Sequence, residues 1–206
     1  MLLYELQSCP RSHDPALKSQ QAEFKQLELV QMENEISGIG MNEEFVAVCT
    51  WEQLTLHIYS LPNLHLLTKT KLDGDVVSRS IEFSIMENQL YLLCGMADGF
   101  LITYTFNSHL ANQIIQKKQR RDENMQISMS ESVEEELQIL SHDILLNKKI
   151  ITLGTYSVIL SKFIYNGAEN IFACTDCPTI VFSCYGKIQF SHMNSTGRAN
   201  LIVDSI

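Results

Sequence analysis

With 206 residues, 45% of them hydrophobic and 19% charged, the chain can bury a sizeable core in one large or two small domains. A formal net charge of −9 argues against a surface that grips nucleic-acid phosphates directly, because that affinity comes from cations that displace counterions. No apolar run reaches the ~18 residues of a membrane helix, and residues 1–6 are too short and lack the basic start of a secretory signal.

Residues 2–6 read as a strand, and 8–21, with Pro10, Pro15 and three serines, as a loop. Residues 24–32 read as a strand through Leu27 and Leu29, with a helix as the rival reading. After the turn-like Glu33-Asn34-Glu35, residues 36–41 form a short strand containing Gly38 and Gly40. Strands follow at 45–51, 54–61, 64–70, 78–86, 89–96 and 99–106. Their pattern has a period of two: Leu54, Leu56 and Ile58 alternate with Thr55, His57 and Tyr59, and Phe100, Ile102, Tyr104 and Phe106 with Leu101, Thr103 and Thr105. A pleated strand turns successive side chains to opposite faces, so one face should be more buried than the other. Leu61-Pro62-Asn63 and Ala97-Asp98-Gly99 mark turns: Pro62 lacks an amide proton, and Asp-Gly supplies the positive φ angles of a tight hairpin.

Residues 107–149 differ in composition, being rich in Gln, Lys, Arg, Glu and Ser, with no Pro or Gly. A loop this long is uncommon in a compact domain, so a charged, disordered insert is expected. Within it, Ser132 and Glu135 match a capping box, and Val133, Leu137, Leu140 and Ile144 at helical spacing predict a short amphipathic helix over 133–146. Lys117-Lys118-Gln119-Arg120-Arg121 reads as a solvated basic run, with a nuclear import signal or phosphate contact as the sharper alternative. Strand text resumes at Ile150, with strands at 158–165, 170–175, 179–184, 187–192 and 201–204. Short strands with turn signals every 8–12 residues or so indicate an all-β sandwich, barrel or propeller. The chain thus divides into 1–106, the insert 107–149, and 150–206.

Little here suggests reaction chemistry. Cys174 and Cys177, with Cys184 and His192 downstream, could be drawn into a zinc site, but the irregular second pair favours thiols that pack as small hydrophobes. No nucleophile elbow, triad signature or Gly-rich phosphate loop is present, so no enzyme, cofactor or metal is expected. Ser132 fits a phosphorylation site as well as a cap, and His57 and His65 read as packed or surface residues. The six cysteines are scattered, which points to reduced thiols inside the cell and leaves the Asn194-Ser195-Thr196 sequon unused. Trp51, the only tryptophan, ends a strand beside Glu52, where it fits a core edge or an interface anchor equally well.

Several stretches carry a resemblance: LELVQMENE (27–35), FVAVCTW (45–51), IYSLPNLHLLTKTKLDGDVVSRSI (58–81), YLLCGMADGFLITY (91–104), TLGTYSVILSKF (152–163) and NIFACTDCPTIVFSCYGKIQFSHMN (170–194). In order and content they resemble the second propeller of the damage-specific DNA-binding protein 1 family. The large subunits of the cleavage-and-polyadenylation factor and of splicing factor 3b are similar more distantly. The resemblance implies an incomplete, WD40-like β-propeller of about three four-stranded antiparallel blades, with a polar, partly helical insert. It implies a non-enzymatic scaffold that joins a cullin-RING ubiquitin ligase to substrate receptors in DNA damage repair, located in the nucleus and secondarily in the cytoplasm. DNA would be reached only through partner subunits, and no membrane is involved. An RNA-processing scaffold of the same fold is the alternative. Two positions carry over to the cullin-binding surface: Glu35, last in Met32-Glu33-Asn34-Glu35, and Trp51. The chain departs from the family at 8–21 and 107–149, which look inserted, and at Cys177. Three blades are less than half a ring, so the chain alone should expose open edges and be poorly soluble or partly molten unless a partner covers them.

Overall fold

The computed structural model describes residues 2–8, 22–123 and 140–193. Of the loop expected at 8–21, Ser8 ends the first strand and residues 9–21 lie outside the described residues, as do the Ser132 cap, the helix positions 133–139, the strand at 201–204 and the sequon. A two-stranded antiparallel pair, β1 (Leu2–Ser8) and β2 (Ala22–Leu29), comes first. Three four-stranded antiparallel sheets follow. The first holds β3 (Ile36–Met41), β4 (Phe45–Thr50), β5 (Thr55–Ser60) and β6 (Leu66–Lys71), and the second β7 (Ser78–Met86), β8 (Gln89–Met96), β9 (Phe100–Phe106) and β10 (Leu145–Thr152). The third holds β11 (Ile159–Tyr165), β12 (Ala168–Cys174), β13 (Thr179–Cys184) and β14 (Lys187–His192). Each sheet is a meander in chain order, and their first strands lie side by side, β3 against β7 and β7 against β11. These are successive propeller blades, and they do not close into a ring.

The hairpin turns follow backbone chemistry. Glu87-Asn88, Asn166-Gly167 and Tyr185-Gly186 each have positive φ at both residues, as a two-residue turn matched to strand twist requires. At Ala97-Asp98-Gly99 the expected hairpin joint between β8 and β9 forms, with Gly99 left-handed (φ +88) but not Asp98, so it is a three-residue turn and not a two-residue one.

Stacking explains the burial. Phe45, Leu56 and Ile58 of the first blade share a core with Phe83, Leu92 and Phe106 of the second. The other face of the second blade, through Tyr91, Leu93 and Leu101, packs on Leu160, Ile171 and Val181 of the third. Alternation predicts one buried face, yet every position of β4 and β5 is buried. The second face of these strands is covered by Val30, Met32, Ile36 and Leu61, which pack on Val46, Val48 and Tyr59. A glycine permits the closest approach of the first two blades. A Cβ on Gly40 would stand 2.4 Å from the Ile81 carbonyl oxygen, so Gly40→Ala should push β3 from β7 and destabilise the chain by about 1–3 kcal/mol, read from its denaturation midpoint.

Polar ties join the second and third blades. Glu169 Oε2 accepts bonds from the Ile85 amide (2.7 Å) and Ser84 Oγ (3.1 Å). Glu87, in the β7–β8 turn, accepts from the Gly186 amide (2.7 Å), Ser183 Oγ (2.8 Å) and the Tyr185 amide (3.2 Å). These bonds, that of Gly186 first, lower the pKa of the Glu87 carboxyl.

The segment expected to be disordered begins as a helix, α1 (Ser108–Glu123). Asn107 Oδ1 caps it by accepting the Leu110 amide at 3.1 Å. Ala111 and Ile114 enter the core shared by the first two blades, and the Lys118 ammonium bonds the Leu66 carbonyl of β6. The basic run therefore lies on a packed helix. Residues 140–142 form a helical turn and Ile144 is fully buried, but Leu145 already opens β10, so the helix expected to 146 ends before the strand. β10 completes the second blade, and the strand text that seemed to begin a new section at 150 belongs to it.

Candidate partner-binding surface

The β4–β5 turn, the β6–β7 link, the β8–β9 turn, the β10–β11 link and the β12–β13 turn all emerge at one end of the blades. Trp51 follows β4 there, and its amide donates to the Glu35 carbonyl at 2.9 Å. The two residues singled out in the sequence are thus brought together, by backbone rather than by side chain. Trp51 is 41% exposed, and this places it outside the core. The Arg79 guanidinium, from the start of β7, lies 5.2 Å from the Trp51 ring centroid. That is cation–π distance, and it restrains both side chains while leaving ring surface and donors open. Sequence reasoning missed Arg79. The pairing joins two blades, and spacing along one chain carries no trace of it.

From Arg79 the surface continues across the second blade to the third. The Ala97 amide donates to the Val77 carbonyl (3.0 Å), Ser157 Oγ donates to the Ala97 carbonyl (3.2 Å), and the Leu153 amide donates to the Gly99 carbonyl (2.9 Å). Asp176 fastens the far side. Its Oδ1 accepts the Thr155 amide at 2.8 Å and lies 2.7 Å from Thr175 Oγ1, and its Oδ2 accepts Thr155 Oγ1 at 2.8 Å. These bonds, that of Thr175 foremost, hold the Asp176 carboxyl well below the usual carboxylate range.

The remaining candidates stay apart. Cys174 and Cys177 are exposed near this end, whereas Cys184 closes β13 at the other end, roughly 17 Å along the strand from Thr179 at ~3.3 Å per residue. His192 Nδ1 is bonded to Thr179 Oγ1 at 2.8 Å, and among the described residues no three His, Cys, Asp or Glu side chains gather as metal ligands. Cys49 and Cys94 are buried between the first two blades, and the Cys94 thiol is pushed well up by its bond with Cys49 and then by burial. His57 is buried in β5, where desolvation and then Lys69 lower its pKa.

A family model described as the RSE1/DDB1/CPSF1 second beta-propeller matches residues 12–201. DNA damage-binding protein 1 of Oryza sativa subsp. japonica is 26% identical over 186 residues, 86% of this chain and 14% of that protein. The protein of the same name from Solanum lycopersicum is 29% identical over 163 residues, and DNA damage-binding protein 1a of Arabidopsis thaliana is 27% identical over 163, each match covering 78% of this chain and 12% of the relative. The chain therefore spans 12–14% of the length of these curated relatives.

Proposed function

The chain belongs to the RSE1/DDB1/CPSF1 second beta-propeller family, and on that premise we propose that it is a non-enzymatic scaffold in a cullin-RING ubiquitin ligase adaptor serving DNA damage repair. In this reading the loop end that carries Trp51 and Glu35 holds the cullin, and other surfaces of the adaptor serve the substrate receptors. The work is done in the nucleus. DNA is met through partner subunits, in keeping with the net charge of −9.

One observation carries the reading. The single tryptophan of the chain is exposed, fixed by a backbone bond to Glu35, and covered on one side by Arg79. Tryptophan and arginine are the side chains that most often dominate binding energy when they stand on a restrained surface. The names of the curated relatives favour the DNA-damage adaptor over the RNA-processing scaffold.

Co-precipitation of the tagged chain with a cullin N-terminal region tests the assignment. Trp51→Ala should weaken binding by about 2 kcal/mol or more, roughly 30-fold, as truncation of an anchor does. Glu35→Ala should cost less, because the carbonyl that orients Trp51 survives the substitution. Binding that is unchanged in both variants would remove the site from this surface.

A further inference from the structure

We infer that Tyr156 is a second aromatic anchor of this surface, at its third-blade end, for a protein partner whose contact patch is basic around an apolar centre. The inference rests on the partner-binding reading of Trp51.

Tyr156 is 71% exposed, in the link between β10 and β11. An exposed tyrosine on a free loop means little. This one sits on a loop tied at both sides. Its amide donates to Asp176 Oδ1 at 3.4 Å, and its carbonyl lies 3.1 Å from Thr175 Oγ1, whose single proton it shares with Asp176 Oδ1. On the N-terminal side, Thr155 gives Asp176 both its amide and its hydroxyl. On the C-terminal side, Ser157 Oγ holds the Ala97 carbonyl and the Val158 amide holds the Met96 carbonyl at 3.0 Å. Gly154 is part of the same lock, because a Cβ there would stand 1.8 Å from Asp176 Oδ1. The backbone under Tyr156 is therefore ordered before any partner arrives, so docking on its ring loses little loop entropy. A rigid aromatic with two rotatable bonds is well suited to be an anchor.

Position supports the assignment. Ser157 bonds Ala97, Ala97 bonds Val77, and Arg79 two residues on covers Trp51. Tyr156 and Trp51 thus stand at the two ends of one continuous run of loops. Exposed or half-exposed acids, Glu35, Glu52, Asp75 and Asp98, lie along the same loops. Their sign selects a basic patch on the partner and speeds the encounter at low salt.

The test uses the full chain and the cullin N-terminal region, by binding kinetics after co-expression. Tyr156→Ala should weaken binding about tenfold, with Tyr156→Phe close to wild type, since the ring makes the contact. Asp176 is a positioning residue. Asp176→Ala should weaken binding alone but add little in a Tyr156→Ala background, a non-additivity that a general loss of folding does not produce. Raising the salt should slow association. If Trp51→Ala abolishes binding while Tyr156→Ala leaves it intact, the second anchor is wrong and the first reading stands. A wild-type chain that ignores the cullin region overturns both.

Discussion

Ile114→Asp should cost more than about 4 kcal/mol of stability, enough to consume most of the margin of a typical domain. Ile114 is 1% exposed, on α1, in the core shared by the first two blades. The substitution forfeits the burial of the isoleucine, about 1.5–3 kcal/mol, and places a carboxylate in the apolar core that also holds Phe45, Phe83 and Phe106. Gln113→Asp, one residue away on the exposed face, is the control and should stay within about 0.5 kcal/mol. Urea denaturation of both variants, with limited proteolysis of α1 as a second readout, decides the point. Similar midpoints for the two would mean that α1 does not pack as described.

That test bears on the part of the chain that sequence reasoning read least well. Composition made 107–149 look like an unstructured insert, because charge and glutamine dominate it. The signal for a helix was nevertheless there. Asn107 is a good cap, and Leu110, Ala111, Ile114 and Ile115 repeat at the spacing of one helical face. Only a narrow apolar stripe is needed when a helix lies on an existing core, and a narrow stripe is easily lost among polar residues. The start of β10 was hidden for a related reason. As an outer strand it shows Leu146, Asn147, Lys148 and Lys149 to solvent, with a register shift between Leu146 and Lys149, so no alternation survives.

The strands bounded by strong turns were legible, whether inner or outer in their blade. β3, β7, β8, β13 and β14 begin and end as the pattern predicts. Side chains that act between blades were not legible. Arg79 on Trp51, Glu87 on the β13–β14 turn and Asp176 on the 154–157 loop each join segments that are distant in sequence. Spacing along the chain encodes periodicity within an element. It does not encode which loop end meets which, and the proposed binding surface depends on two of those meetings, at Trp51 and at Asp176.

Phe83→Ala is expected to destabilise the chain by about 3–5 kcal/mol, the range of buried aromatic truncations that leave a cavity. The residue sits in β7 of the second blade, fully buried, in a cluster with Phe45 of the first blade and Phe106 of its own. Ring centroids lie 4.7 Å apart for Phe45 and Phe106, 5.6 Å for Phe83 and Phe106 in an edge-on arrangement, and 6.4 Å for Phe45 and Phe83. Removing one ring therefore breaks two aromatic contacts, each worth about 0.5–1.5 kcal/mol beyond area. Collapse around the hole is hindered on one side, because Gly40 already brings β3 against the Ile81 carbonyl. The joint between the second and third blades uses different residues, the apolar set around Leu93 and Val181 and the carboxylates of Glu87 and Glu169. Hydrogen exchange should consequently accelerate first in β4 and β5, while β12 and β13 keep their protection longer. A loss below about 1 kcal/mol, or uniform acceleration through all three sheets, would show that the aromatic cluster is not what holds the first blade to the second.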